Sequence, residues 1–232
     1  MALPLYLAMT AAEMTSKENF PTNFAYMACH FSPYGQGISN LPTTLPENAM
    51  LILNDNFPCQ GHSPSLAVHQ IQEAVSQLRC ESLLLDFQRP PEAESEQMVQ
   101  ALLSELPCPV ALPPAYGGNW EGPVFLPPCP LHVPMEEYLE SWKDREIWLE
   151  AALCQETISI RKDGPIFSVH FPPEGLEDGF FDERLNCRYT IDTAPEQISF
   201  TLFDTPESLP QKLEKAQRLG VARSVGLYQE LG

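Results

Sequence analysis

Glu81-Ser82-Leu83-Leu84-Leu85-Asp86-Phe87-Gln88 is a buried-strand run that ends in two polar residues spaced two apart. Side chains two apart on a strand share a face, so Leu84, Asp86 and Gln88 point the same way. On either side of the run the pattern becomes helical. Upstream, Ser63 caps a helix with Pro64 at its first position, and Ala67, Ile71, Ala74, Val75 and Leu78 form its apolar stripe. Downstream, Met98, Val99, Leu102, Leu103 and Leu106 mark the next helix, which ends before Pro107. Strands alternating with amphipathic helices imply parallel strands built from βα units.

Further out, Leu3 to Met9, Phe24 to Phe31 and Met50 to Asn54 read as strands one to three, with Leu83 to Gln88 as the fourth. Val110 to Leu112, Val124 to Leu126 and Ile147 to Leu153 follow as the fifth to seventh, and Ser224 to Gln229 is the eighth, after a helix over Ser208 to Leu219. Asn40 to Asn48 and Ala115 to Gly122 stand where helices belong, so some crossovers are reduced to loops. Between strands seven and eight the pattern turns antiparallel. Thr157 to Arg161, a turn at Lys162-Asp163-Gly164 and Ile166 to Phe171 read as one hairpin, and Arg188 to Asp192 with Gln197 to Phe203 as another. The expected fold is α/β: a (β/α)8 TIM-like barrel, one domain over residues 1–232, with a small antiparallel insertion over 155–203 before the last strand.

Composition narrows the function. Thirteen basic against 31 acidic residues give a net charge of -18, which repels phosphate backbones and anionic lipid, so neither nucleic acid nor membrane is an expected partner. No stretch approaches the roughly 20 apolar residues of a membrane helix, and Met1 to Met14 carries no basic n-region, the first lysine being Lys17. Seven cysteines, scattered singly, suit buried thiols in a reducing cytosol, and a cytoplasmic location is expected. Cys129 and His132 form a C-x-x-H without a second ligand pair at finger-like spacing, so no metal is expected and no cofactor is implied. The 24 prolines are interleaved with apolar runs, which favours an ordered, loop-rich fold.

The octet resembles the D-x-x-D-x-D-x-E signature of glycoside hydrolase family 18, the chitinase-like family. Glu81 and Asp86 stand at the first and third acidic positions, Leu84 replaces the second Asp, and Gln88 replaces the Glu that serves that family as general acid. The end of the chain is similar to the closing segment of bacterial, spore-type members. Ile198 to Asp204 is a strand ending in Asp, Lys212-Leu213 lies on a helix, Gly220 stops it, and Gly226-Leu227-Tyr228-Gln229-Glu230-Leu231-Gly232 resembles a last strand ending Tyr-Trp-x-Leu-Gly. Gln229 takes the place of the Trp that floors the sugar site.

The resemblance implies a barrel that uses the substrate's acetamido group as nucleophile, one of the exceptions to the two-carboxylate scheme. Asp86 matches the Asp that orients the acetamide. Gln88 is an amide and cannot deliver a proton at neutral pH, and the sixth strand ends Leu126-Pro127-Pro128-Cys129 where the family's Tyr is expected. The expected protein is therefore a catalytically impaired relative that keeps at most a cleft for an N-acetylglucosamine-containing glycan.

Two other readings stay open: an active hydrolase using carboxylates elsewhere at the mouth, with Glu150 and Glu230 able to face Asp86, and an interaction scaffold without small ligand. In a barrel, functional groups come from the C-terminal ends of strands. That rule adds Asn54, Asp55 and Arg89, together with Tyr228 and Gln229, as ligand-binding candidates, and Tyr116 and Trp120 in the Gly-rich loop as rings for a sugar face. Oligomeric state is left open.

Overall fold

The computed structural model describes all residues except 1, 18, 119, 121, 172 and 174–177. Eight parallel strands form the barrel, in the order they are met around it: β6 (Val110–Ala111), β5 (Ser82–Asp86), β4 (Met50–Asn54), β2 (Phe24–Phe31), β1 (Leu5–Met9), β14 (Val221–Leu227), β8 (Ile147–Glu150) and β7 (Val124–Leu126). One parallel bridge between Leu112 and Val124 joins the two ends of the sheet and closes the cylinder. A two-residue strand, β3 (Ile38–Ser39), pairs antiparallel with β2.

Helical crossovers are unequal. The helices α2 (Pro64–Leu78) and α3 (Ala93–Glu105) are full crossovers, and Ile71 and Leu102 are wholly buried on their inner faces. Burying one such side chain contributes about 2 kcal/mol. α1 (Ala11–Thr15), α4 (Met135–Glu140) and α6 (Tyr228–Leu231) are short, and a single 3-10 turn over Pro114–Tyr116 follows β6.

Alternation along the strands fills the lumen with Tyr6, Met50, Ile52, Leu84, Phe125 and Trp148. Its base is closed by charge: the Arg223 guanidinium lies 4.7 Å from the centre of the Trp148 ring and 5.6 Å from that of Tyr6, and Glu81 accepts hydrogen bonds from both Arg223 and the Tyr6 hydroxyl. Glu81, at the first acidic position of the octet, thus serves the base of the barrel and not its mouth.

Expected strand ends are corrected, first that of the fourth strand, which stops at Asp86, two residues short of Gln88. The last strand stops at Leu227, and Tyr228 to Leu231 form a helical turn whose first carbonyl accepts the Gly232 N–H at 2.9 Å. The seventh stops at Glu150: Ala151 N–H makes a 2.8 Å bond to the Val225 carbonyl, and the chain then leaves the barrel for the insertion.

The insertion is a five-stranded antiparallel sheet in the order β10 (Gly164–His170), β9 (Gln155–Arg161), β13 (Gln197–Phe203), β12 (Cys187–Ala194) and β11 (Phe180–Asp182). It is tied to the barrel at its root. Asp204, fully buried, accepts the Cys154 N–H at 3.1 Å and pairs with Lys212 at 2.6 Å. Lys212 stands on α5 (Ser208–Arg218), which packs beside β14.

Candidate active site

Asp86 closes β5 and Gln88 follows two residues on. Both line a pocket at the barrel mouth of about 90 Å³, together with Glu150, Phe125, Met27 and Leu227. The Gln88 amide Nε2 donates to Asp86 Oδ1 at 2.5 Å. Burial raises the Asp86 carboxyl above its ordinary value; the amide bond from Gln88 pulls it back, and the charge of Asp55 adds to the rise.

Glu150 ends β8 and turns into the same pocket, because it stands two residues beyond the lumen residue Trp148. Burial, then the charges of Asp86 and Glu230, push its carboxyl up to about 7. A carboxyl poised near neutral pH has the proton affinity that general acids use. Glu230, on α6, is raised by burial, and its Oε2 is buried without a hydrogen-bond partner among the described residues. The structure therefore brings three carboxyl groups, Asp86, Glu150 and Glu230, to one side of the barrel.

The loops around the pocket are internally braced. Asp55 Oδ1 accepts the Gln88 N–H at 2.8 Å and Oδ2 accepts the Arg89 N–H at 2.9 Å. Arg89 returns its Nε to the Asp55 carbonyl at 2.8 Å and its guanidinium to the Asn56 carbonyl at 3.1 Å. Asn54 donates to the Met27 carbonyl at 3.3 Å and accepts the Asn56 N–H at 3.2 Å. Asn54, Asp55 and Arg89 thus fix the backbone that carries Gln88.

The aromatic candidates lie apart from the pocket. Tyr116 meets Phe87 edge-on at 5.5 Å, and its hydroxyl lies 3.2 Å from both the Arg89 carbonyl and Ser95 Oγ, sharing its one proton between them. Trp120 is partly buried against the core and α3, beside Gln97 and Leu103; its neighbours Asn119 and Glu121 lie outside the described residues. Tyr228 lies under Lys17, whose Nζ is 4.9 Å from the ring centre. Gln229 hydrogen-bonds to Glu13 and lowers the proton affinity of that carboxyl, alongside Thr10 and against a burial effect.

Sequence reasoning did not single out Phe125 or Met27 as lining the mouth. The signal was present in the alternation, since Phe125 is the middle residue of a three-residue strand and Met27 stands two beyond Ala25 of the lumen. Of the C-x-x-H pair, His132 is held by Glu156 at 2.7 Å, and the Cys129 thiol donates to the Val133 carbonyl. Among the described residues no group of three or more His, Cys, Asp and Glu side chains is arranged to hold a metal ion.

No family model matches the sequence, and no curated protein matches it either. Solved structures do match. The family 18 N-acetylglucosaminidase of Paenibacillus barengoltzii is similar over 98% of this chain and 95% of that one, with a TM-score of 0.63 at 10% identity. The spore cortex-lytic enzyme SleL of Bacillus cereus is similar over 99% of this chain and 71% of that one, with a TM-score of 0.52 at 11% identity. The family 18 chitinase of Cycas revoluta, solved in complex with (GlcNAc)3, covers 97% and 94% at a TM-score of 0.53 and 9% identity. A double mutant of that chitinase, one of whose changes is Glu to Gln, is known in complex with (GlcNAc)4. The chain has the barrel fold of the glycoside hydrolase family 18 chitinases.

Proposed function

We propose that this protein is a family 18-like barrel that binds an N-acetylglucosamine-containing glycan across its mouth and has lost the family's route of cleavage. The observation that carries the reading is the hydrogen bond from Gln88 to Asp86. The residue at the acid position is an amide already engaged with the residue that would orient the acetamide, and it has no proton to give. The pocket of about 90 Å³ is on the order of a few water molecules at ~30 Å³ each. It suits a substituent such as an acetamido group, with the pyranose ring lying over the rim. Capture of (GlcNAc)4 by the Cycas chitinase variant supports binding as a function separable from cleavage. Seven free thiols support a reducing, cytoplasmic setting.

The test is calorimetric titration with chitotriose alongside release of chromophore from an aryl chitobioside. Binding that Asp86→Ala abolishes, with no turnover by the wild type, is the expected result. Absence of binding removes the reading.

A second reading is favoured by one specific observation: Glu150, held at about 7 beside Asp86, has the proton affinity of a relocated acid. Wild-type turnover that survives Gln88→Ala and is lost in Glu150→Gln establishes it in place of the first.

A further inference from the structure

We propose that the apolar face of the insertion sheet is a self-association surface, on which a second copy of this chain packs its own sheet face to face. Strand register divides the sheet into two unlike faces. One carries paired hydroxyls, Thr157 with Thr201 at 3.3 Å and Ser159 with Ser199 at 3.0 Å. On the other, Phe167, Ile158, Phe200 and Ile191 stand in one cross-strand row.

The root of this second face is covered, with Ile158, Tyr189 and Phe200 partly buried against it and the His132 ring 5.5 Å from that of Phe167. There Leu202 and Cys187 pack on Leu131 and Cys154 of the segments that leave the barrel. Away from the root, Ile160, Phe167, Val169, Phe180, Ile191 and Ile198 are between 44% and 69% exposed. An antiparallel sheet ordinarily turns its apolar face to a core, and contiguous apolar surface of this kind marks an interaction site.

Charge selects the occupant. Two carboxylates stand on this face, both at its root: Glu156, 6% exposed, is taken up by His132 and by the Leu131 N–H at 2.9 Å, and Asp182, on the same face of β11 as Phe180, accepts the Arg184 and Leu185 N–H groups at 2.9 Å each. Within a chain of net charge -18, the described strand positions of the open part of the face, away from Glu156, Asp182 and His132, carry no charged side chain. A basic partner finds no anion there, and anionic lipid finds no basic residue. A second copy brings an identical uncharged face, which is self-complementary about a two-fold axis.

Area agrees with this occupant. Two phenylalanines and four aliphatic side chains, each about half exposed or more, leave on the order of 600 Å² open, close to the ~800 Å² per partner of a standard interface. Stacked sheets pack about 10 Å apart. Edge-to-edge pairing is disfavoured, since Pro165 stands on the edge strand β10 and has no N–H to donate.

Sedimentation velocity of the full chain at micromolar concentration and physiological salt tests the proposal. The wild type is expected to be a dimer. Phe167→Asp and Thr193→Arg, the latter on the same face at an already polar position, are each expected to weaken dimerisation by about tenfold or more. Ile166→Asp, on the opposite face of β10, is expected to leave it intact, with far-ultraviolet circular dichroism confirming that every variant is folded. A monomeric wild type overturns the proposal. So does a dimer that Thr193→Arg leaves unchanged, or a monomer whose exposed face is covered on adding chitotriose.

Discussion

Glu150 and Asp86 end two strands that face each other across the barrel mouth, and each turns its carboxyl into one shared pocket. Burial and the charge of Asp86 hold Glu150 at about 7 against an ordinary 4.5. The folded chain therefore binds more protons than the unfolded chain between these values. Stability falls as pH rises through that window and levels off above it. The gap corresponds to about 3 kcal/mol. Glu150→Gln is expected to be more stable than wild type by up to that amount at about pH 8 and equal to it at about pH 4, a difference that urea unfolding at the two pH values reads directly.

Asp55 holds the backbone of Gln88 and Arg89 with two hydrogen bonds to a buried carboxylate. Removing it leaves two N–H groups in a partly buried loop without their acceptor. Asp55→Ala is expected to cost about 3 kcal/mol in urea unfolding. The same change frees the Gln88 backbone, so chitotriose binding is expected to weaken even where the protein is still fully folded.

The Asp204–Lys212 pair behaves differently from the exposed pair of Arg79 with Glu47. Asp204 is fully buried and Lys212 nearly so, whereas both partners of the second pair are more than two-thirds exposed. Lys212→Met strands a buried carboxylate and is expected to cost about 3–5 kcal/mol; Arg79→Met is expected to cost at most about 1 kcal/mol. Because Asp204 ties the insertion to the barrel, limited proteolysis of Lys212→Met is expected to begin within residues 155–203.

Gln88→Glu restores an acid at the octet's last position, but beside Asp86 and near Glu150. It adds a third carboxyl to one pocket without supplying the Tyr of the sixth strand or the Trp of the eighth. Turnover of an aryl chitobioside is expected to stay within about tenfold of the uncatalysed background, below the range general acid catalysis reaches when the substrate is positioned.

The strands were legible wherever an apolar run met a turn signal. Phe24–Phe31, Met50–Asn54 and Val124–Leu126 run as their composition predicts. The end of the last strand was not, because Gly226-Leu227-Tyr228 reads as extended while packing decides otherwise. A Cβ on Gly226 would meet the Ala151 carbonyl oxygen at 2.6 Å and the Leu231 side chain at 2.4 Å, so α6 folds back onto β14. At the site, the facing of Glu150 was readable in principle from Trp148 two residues before it. The bracing role of Asp55 was not, since its partners lie 33 and 34 residues away and are brought to it by pairing of β4 with β5. A Gly-rich loop carries no directional signal, and Trp120 packs against α3 and the core and not into the mouth pocket.

The single bridge between Leu112 and Val124 makes the cylinder a rolled sheet with one stitched seam. Around most of the circumference each strand shares several registered residues with its neighbours, five of them between β4 and β5. At the seam two backbone bonds, Phe125 N–H to the Leu112 carbonyl at 2.7 Å and Leu112 N–H to the Pro123 carbonyl at 3.2 Å, do the joining. Local opening follows the weakest run of contacts. In deuterium the amides of Leu112 and Phe125 should therefore exchange ahead of those of Leu51 to Leu53, and the barrel should unroll from β6 and β7 while β4 and β5 remain paired.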